Sequence, residues 1–368
     1  MNLLSQSTML LLTLLSRPRL TTPFHLPRYA PIIHHSQTRH HQSSSSDDTS
    51  SSTSAPSRFQ NTNNNADQIY SALSSSGTLK VTTCTIRNLL NEMMLQHNLT
   101  PIPADALGRS TMCCLLASSG MQEEQMFQLS VKGDGALRGC TVIVNGKAEA
   151  KGFVGMPELN SESFTLQDAV GKGVLQVVKN HPDWPRPYNG VSEIKHSDID
   201  RDFGIYLAVS EQRSCALAAA TAFKGILCTA AGGYLVERLP DCPESDMEHV
   251  ADNLAKLVKL DGGNALPTNL LLEGKTPYDI AELILDGLGM QPLNSVEPKA
   301  LCHCSDDKLI RSLRLLPRED VDEILREEGK IEARCQFCGR VYRMSPEEVE
   351  KRMAEAKGDP SKDEDFGK

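Results

Sequence analysis

Long apolar runs are missing from this chain of 368 residues. No stretch reaches the ~18–20 consecutive apolar residues that a helix needs to cross a bilayer, so neither an integral membrane protein nor a membrane partner is expected. Positive charge is also in short supply. The formal net charge is −9, which leaves no global electrostatic reason to expect a nucleic-acid partner. Cysteine is sparse: eleven in the whole chain are too few for a disulfide scaffold. No internal repeat with a period of roughly 20–50 residues is visible, which sets aside solenoids and propellers. His-Glu-x-x-His and Gly-x-Ser-x-Gly are both absent. Neither a zincin nor an α/β-hydrolase site is legible, and an enzyme is not expected. What remains is 39% hydrophobic residues, a fraction normal for globular folding.

The first 66 residues differ from the rest. They hold five arginines (Arg17, Arg19, Arg28, Arg39, Arg58) against Asp47 and Asp48, so the segment is +3 and the remainder −12. Serine runs occupy residues 43–46 and 50–52. An Arg-bearing, Ser-rich, acid-poor leader reads as an organelle transit peptide. A generic disordered tail would share this composition. A secretory signal is disfavoured, because no basic residue precedes the apolar residues 9–15 and no Ala-x-Ala site follows closely. Serine content favours the chloroplast, with the mitochondrion as the alternative. We place the leader at residues 1–76.

From Gly77 onward the pattern predicts a domain over residues 77–245. Residues 80–87 read as a strand rich in β-branched side chains. A helix around Leu89, Leu90, Met93 and Met94 follows, then punctuation at Pro101 and Pro103 and a buried helix over 107–119. Phe127, Leu129 and Val131 alternate as a half-buried strand. Short strands over 139–144, 151–154 and 174–178, separated by Asn145-Gly146 and similar turns, argue for an antiparallel sheet. Residues 210–224 have helical character, and 234–239 read as a strand. Residues 246–298 show Val250, Leu254, Leu257 and Val258, then Ile280, Leu283, Ile284 and Leu288, at helical spacing. They read as a helical linker without strands.

The strongest chemical signal lies near the C-terminus. Cys302-His-Cys304 and Cys335-Gln-Phe-Cys338 are two close pairs separated by 30 residues. Four soft thiolates in two pairs match a tetrahedral Zn²⁺ site, so Cys302, Cys304, Cys335 and Cys338 are the predicted zinc ligands. His303 sits between ligands, since four cysteines already fill the tetrahedron. Gly339 permits a tight turn after the second pair. Ser305 is a candidate N-cap for a helix with Leu309, Ile310, Leu313 and Leu316 on one face. Pro317 and Gly329 bracket a second helix with Val321, Ile324 and Leu325 inward. Ile331 starts a strand, Val341-Tyr342 continues it, and Ser345-Pro-Glu-Glu348 is a capping box. Residues 299–357 thus form a metal-held module, and 358–368 a disordered tail. A Cys-x-x-Cys redox pair of thioredoxin type is disfavoured, because no βαβ pattern surrounds it and a second pair exists.

At these residues the chain resembles the heat shock protein 33 family, the 33 kDa chaperonins. The ordered set Lys132-Gly-Asp-Gly135, Ala169-Val-Gly-Lys-Gly173, Pro187-Tyr-Asn-Gly190, Ser210-Glu-Gln212, Ala231-Gly-Gly-Tyr-Leu235 and Leu239-Pro240 carries the likeness upstream, over roughly residues 78–350. The resemblance implies an α+β protein with three parts. An N-terminal antiparallel β-sheet domain covered by helices binds substrate, a helical linker follows, and a small C-terminal four-cysteine zinc-binding module acts as a redox switch. It implies an ATP-independent holdase that is zinc-bound and weakly active when reduced. On oxidation, disulfides Cys302–Cys304 and Cys335–Cys338 form, zinc leaves, switch and linker unfold, and the protein dimerises. Unfolded or oxidatively damaged client proteins are the implied partners. The other seven cysteines (Cys84, Cys113, Cys114, Cys140, Cys215, Cys228, Cys242) read as small buried hydrophobes, with Cys242 the one expected to be exposed. Two other readings compete. One is a constitutive zinc ribbon binding a protein or nucleic acid, which Arg334, Arg340, Arg343 and Arg352 favour slightly. The other is a metalloenzyme, which a closed site of four cysteines opposes.

Overall fold

The structure, a computed structural model, describes residues 66–159, 163–260 and 268–357. The expected transit peptide within residues 1–65 and the tail 358–368 lie outside the described residues. Two strands come first among the described residues, β1 (Gln68–Leu73) and β2 (Leu79–Thr85), followed by helices α1 (Arg87–His97) and α2 (Pro101–Ala117). Strands β3 (Met126–Gly133), β4 (Cys140–Asn145) and β5 (Glu149–Val154) form a meander, and α3 (Leu166–Val170) leads to β6 (Gly173–Asn180) and β7 (Tyr188–Ile194). Helix α4 (Ile199–Ser210) precedes the long hairpin of β8 (Cys215–Lys224) and β9 (Leu227–Arg238). Helices α5 (Glu244–Leu260), α6 (Thr268–Leu272) and α7 (Pro277–Ile284) come next, then β10 (Gln291–Val296) and β11 (Lys299–Ala300). The C-terminal module holds α8 (Asp306–Leu313), α9 (Arg318–Glu328), the hairpin β12 (Ile331–Arg334) and β13 (Val341–Met344), and α10 (Pro346–Lys357). Among the described residues, no helix is long and apolar enough to cross a membrane.

The α+β class and the antiparallel pairing match the expectation, with two sheets rather than one. A five-stranded sheet runs β10-β1-β2-β9-β8 and a six-stranded sheet runs β11-β5-β4-β3-β6-β7. All their pairs are antiparallel except β11 with β5. Helix α2 lies between the sheets, against β4 and β5 on one side and β8 and β9 on the other. It is buried on nearly every face, from Ile102 to Leu116, so it carries no polar stripe. At Gly108 an added Cβ would stand 2.7 Å from Leu90 Cδ2, so glycine lets α1 and α2 approach closely.

Strands β1, β2 and β9 of the five-stranded sheet are buried on both faces over most of their length. Cys84, Ala231, Leu235 and Ala219 point into the core shared with α2, while Tyr70, Val81, Tyr234, Val236 and Ala218 point the other way. Helices α5 and α7 cover that second face with Val250, Leu254, Leu257, Ile280 and Ile284. The linker residues read as amphipathic are therefore docked, apolar side inward, on the sheet.

Several expectations are corrected. The leader, set at 1–76, runs too far: β1 occupies part of it, between β2 and β10. A six-residue strand preceded by asparagines and followed by serines gave too weak an alternation to stand out. The linker 246–298 is not free of strands, since β10 lies within it. Its outward side chains leave no period-2 apolar signal. Residues 210–224 are not a helix: α4 ends at Ser210 and β8 begins at Cys215. Ala216, Ala218, Ala219, Ala220 and Ala222 favour helix in isolation. Pairing with β9, where Gly232 and Gly233 stand opposite Ala220 and Ala219, overrides that preference. Pro101 and Pro103 do not interrupt the chain but lie in the first turn of α2, where a missing N–H costs nothing. Cys242 is buried, packed with Met247 and Val250.

Candidate metal centre

The module is built as its caps and apolar faces predicted. The Ser305 side chain accepts from the Lys308 N–H at 3.2 Å to start α8, and Gly329, in the left-handed region at φ 68°, closes α9. Ser345 Oγ accepts from the Glu348 N–H at 3.3 Å to start α10. Ile310, Leu313, Val321, Ile331, Met344, Val349 and Met353 make a small core of their own. Leu316 and Ile324, expected inward, are 44% and 38% exposed, because a module this thin has no second side to cover them.

At one end of this core the four predicted cysteines converge. The Sγ atoms of Cys302, Cys304, Cys335 and Cys338 all lie within 4.8 Å of one another. Cys302 Sγ is 3.7 Å from Cys335 Sγ, and Cys304 Sγ is 3.2 Å from Cys338 Sγ. Zn–S bonds near 2.3 Å in a tetrahedron put sulfurs about 3.8 Å apart, so the cluster fits a single ion of that size. A tight knuckle holds the second pair: the Gly339 N–H donates to the Cys335 carbonyl at 2.8 Å and the Cys335 N–H to the Arg340 carbonyl at 2.9 Å. Gly339 takes φ 68° there, as its place in the turn predicted.

Burial opposes a thiolate at Cys304, yet the Tyr342 hydroxyl, 2.9 Å from Cys304 Sγ, and the neighbouring sulfurs draw it down to about 7. Burial pushes Cys338 up to about 12 and raises Cys302. Without a cation the cluster keeps protons, because four thiolates this close repel. A doubly charged ion is what lets all four lose them.

The family model described as Hsp33 protein matches residues 67–345. The chain belongs to the Hsp33 family. It is 31% identical over 290 residues to the 33 kDa chaperonin of Clostridioides difficile, covering 77% of this chain and 97% of that protein. The 33 kDa chaperonin of Symbiobacterium thermophilum is 30% identical over 292 residues, covering 77% of this chain and 96% of its own. The crystal structure of the Hsp33 homologue from Thermotoga maritima superposes with a TM-score of 0.70 at 24% identity, over 80% of this chain and 100% of that one. These relatives are named chaperonins rather than enzymes, and this chain is an Hsp33-family chaperone with a four-cysteine cluster able to hold a metal ion.

The remaining cysteines of this family member stand apart from the cluster. Burial pushes Cys84, Cys140 and Cys228 up to about 12 and Cys215 to about 11, and holds Cys113 and Cys114 well above the ordinary thiol range. His303 turns away from the sulfurs, with Nε2 3.5 Å from Glu149 Oε2.

Sequence reasoning missed how the module meets the first domain. Phe337, between the ligand candidates Cys335 and Cys338, sets its ring edge-on to Phe153 with centroids 5.2 Å apart. Lys151 Nζ lies 5.0 Å from the same ring, and His97 Nε2 is 3.1 Å from the Phe337 carbonyl oxygen. A cleft of about 440 Å³ beside this contact is lined by His97, Asn98, Pro157, Arg334 and Gln336. The sequence marks Tyr342 only as a strand residue. Its alternation in β13 could have marked it as facing inward, but nothing in the sequence shows which sulfur it reaches.

Proposed function

We propose that the protein is a redox-regulated, ATP-independent holdase. The observation that carries this reading is the convergence of four sulfurs within 4.8 Å in an Hsp33-family chain whose linker helices cover an apolar sheet face. In the reduced state Cys302, Cys304, Cys335 and Cys338 hold one zinc ion. When bound, that ion keeps four thiolates together and stabilises a module too small to fold on its core alone. Thiolates, not thiols, react with peroxide. Two thiolates, one peroxide and two protons from water give one disulfide and two waters, so two peroxides and four protons would convert the four cysteines to Cys302–Cys304 and Cys335–Cys338. A disulfide brings two sulfurs to about 2.05 Å, so these bridges and the four-sulfur tetrahedron exclude each other.

Loss of the tetrahedron removes the tie that holds the module, and with it the contacts at Phe337. Release of α5 to α7 would then bare Tyr70, Val81, Tyr234 and Val236, a surface suited to apolar segments of unfolding clients. A second copy of the chain could cover the same surface, which supports dimerisation on oxidation. Two of the four arginines that favour a constitutive nucleic-acid-binding ribbon are already engaged by carboxylates. Arg343 pairs with Glu332 at 2.8 Å and Arg352 with Glu348 at 3.0 Å. We place the protein in the chloroplast, with the mitochondrion as the alternative, on the composition of residues 1–66. Expression of residues 1–76 fused to a fluorescent protein tests that placement, and a diffuse cytosolic signal rejects it.

The decisive experiment measures zinc content and suppression of aggregation of a heat-unfolded probe protein, before and after peroxide. Zinc loss should accompany a rise in holdase activity. Zinc loss with no rise rejects the reading.

A further inference from the structure

We propose that β10 is a removable strand, and that the β1 edge beneath it takes an extended segment of an unfolding client by main-chain hydrogen bonding. The proposal rests on the oxidative release of linker and module described above.

Among the described residues, strand β10 is the outermost strand of the five-stranded sheet and pairs only with β1. Gln291, Pro292, Leu293 and Asn294 are all exposed. Side-chain ties are few: Gln68 Nε2 donates to Ser295 Oγ at 2.8 Å, Gln291 Nε2 to the Ser75 carbonyl at 3.3 Å, and Val296 packs partly on the core. Most of the hold is therefore the ladder itself, which is indifferent to side-chain identity. The next element, β11, pairs with β5 over just two residues and ends at Ala300, two positions before Cys302. The chain joining the metal cluster to the sheet edge is lightly fastened along its whole length.

The direction of β1 follows from its side-chain contacts. The Gln68 N–H donates to Thr85 Oγ1 and the Tyr70 carbonyl accepts from Thr83 Oγ1, so both residues face β2. Alternation then turns the N–H and C=O groups of Ile69, Ser71 and Leu73 toward β10. Opposite Ala72, Pro292 faces outward at the sheet's rim, where a missing N–H blunts the resting edge. No such guard exists on β1, whose sequence Gln-Ile-Tyr-Ser-Ala-Leu has neither proline nor charge. Once bared, that edge is a template for strand addition. Recognition through the main chain suits a holdase, because every extended client offers the same groups whatever its sequence.

Residue-resolved hydrogen exchange on the full chain tests this in three states: reduced with zinc, oxidised, and oxidised with reduced and alkylated lysozyme as the unfolded probe. The amides of Ile69, Ser71 and Leu73 should lose protection on oxidation and regain it with the probe, while those of Tyr70 and Ala72 stay protected throughout. If α5 opens but the first three amides stay protected, or open without regaining protection, this proposal falls and the holdase reading stands. If α5 never opens, both fall. Asn294→Pro gives an independent check. It deletes one ladder bond opposite Ser71 at an exposed side chain, and should tighten probe binding by the oxidised protein about fivefold. Unchanged affinity in a variant whose Ile69, Ser71 and Leu73 amides exchange faster than those of the oxidised wild type would overturn the proposal.

Discussion

The first domain and the C-terminal module are held together in opposite ways. The first wraps two sheets around α2, whose residues from Ile102 to Leu116 are nearly all buried. The second has seven buried apolar side chains among the described residues, and four sulfurs at its rim. One region is stable through what it excludes from water, the other through what it can coordinate. On the proposed reading the difference would make a chemical signal local, since an oxidant reaching the sulfurs would act on the stability of one region and little on the other's.

The largest effect should come from removing a ligand. Cys335→Ser, or chelation of the reduced protein, takes away on the order of 10 kcal/mol of metal-linked folding free energy. Residues 306–357 should lose hydrogen-exchange protection, while β3, β4 and α2 keep theirs. Protection lost equally in both regions would erase the contrast. Next, Leu107→Ala hollows the core between the sheets and should cost about 2–5 kcal/mol in urea unfolding of the first domain, with zinc stoichiometry unchanged. Smaller still is Phe337→Ala, which removes the ring between Phe153 and Lys151. It should weaken docking of the module by about 0.5–1.5 kcal/mol and lower the peroxide concentration needed for half-maximal activation, while the sulfurs keep their metal.

The smallest effect is a pH dependence confined to the first domain. Asp198 is raised from 3.8 to about 7, by burial and then by Asp200, against the pull of Arg109. The folded value lies above the unfolded one, so the native state takes up a proton first as pH falls. Stability from this group therefore grows as pH drops through 7 towards 4 and is lost above 7. Urea midpoints at pH 8 and pH 6 should differ in that sense for the wild type, and less for Asp198→Asn.

The module was the more legible of the two regions. Its caps at Ser305 and Ser345, its turns at Gly329 and Gly339, and its two close cysteine pairs are all set by neighbours in sequence, and such signals survive reading one residue at a time. The double-sheet domain depends on partners far apart. Strand β1 pairs with residues more than two hundred positions away, and the alanines of β8 become a strand through the glycines of β9. The sequence pattern of 246–298 revealed apolar faces at Leu254 and Ile284 but not what they cover, because the sheet beneath is buried on both sides and has no polar face to announce itself. Nothing in the sequence singles out Phe337 inside the second cysteine pair, and only the packing assigns it a neighbour.

The five-stranded sheet, apolar on both faces, sets where cooperativity can stop. Side chains above it and below it share a backbone but do not touch, so each layer can melt on its own account. Such a seam would let one layer come apart while the other holds. Here it runs along the hydrogen-bonded plane between helices α5 and α7 on one side and the core around α2 on the other. Order and disorder can then coexist in one chain, divided by the thickness of a single sheet.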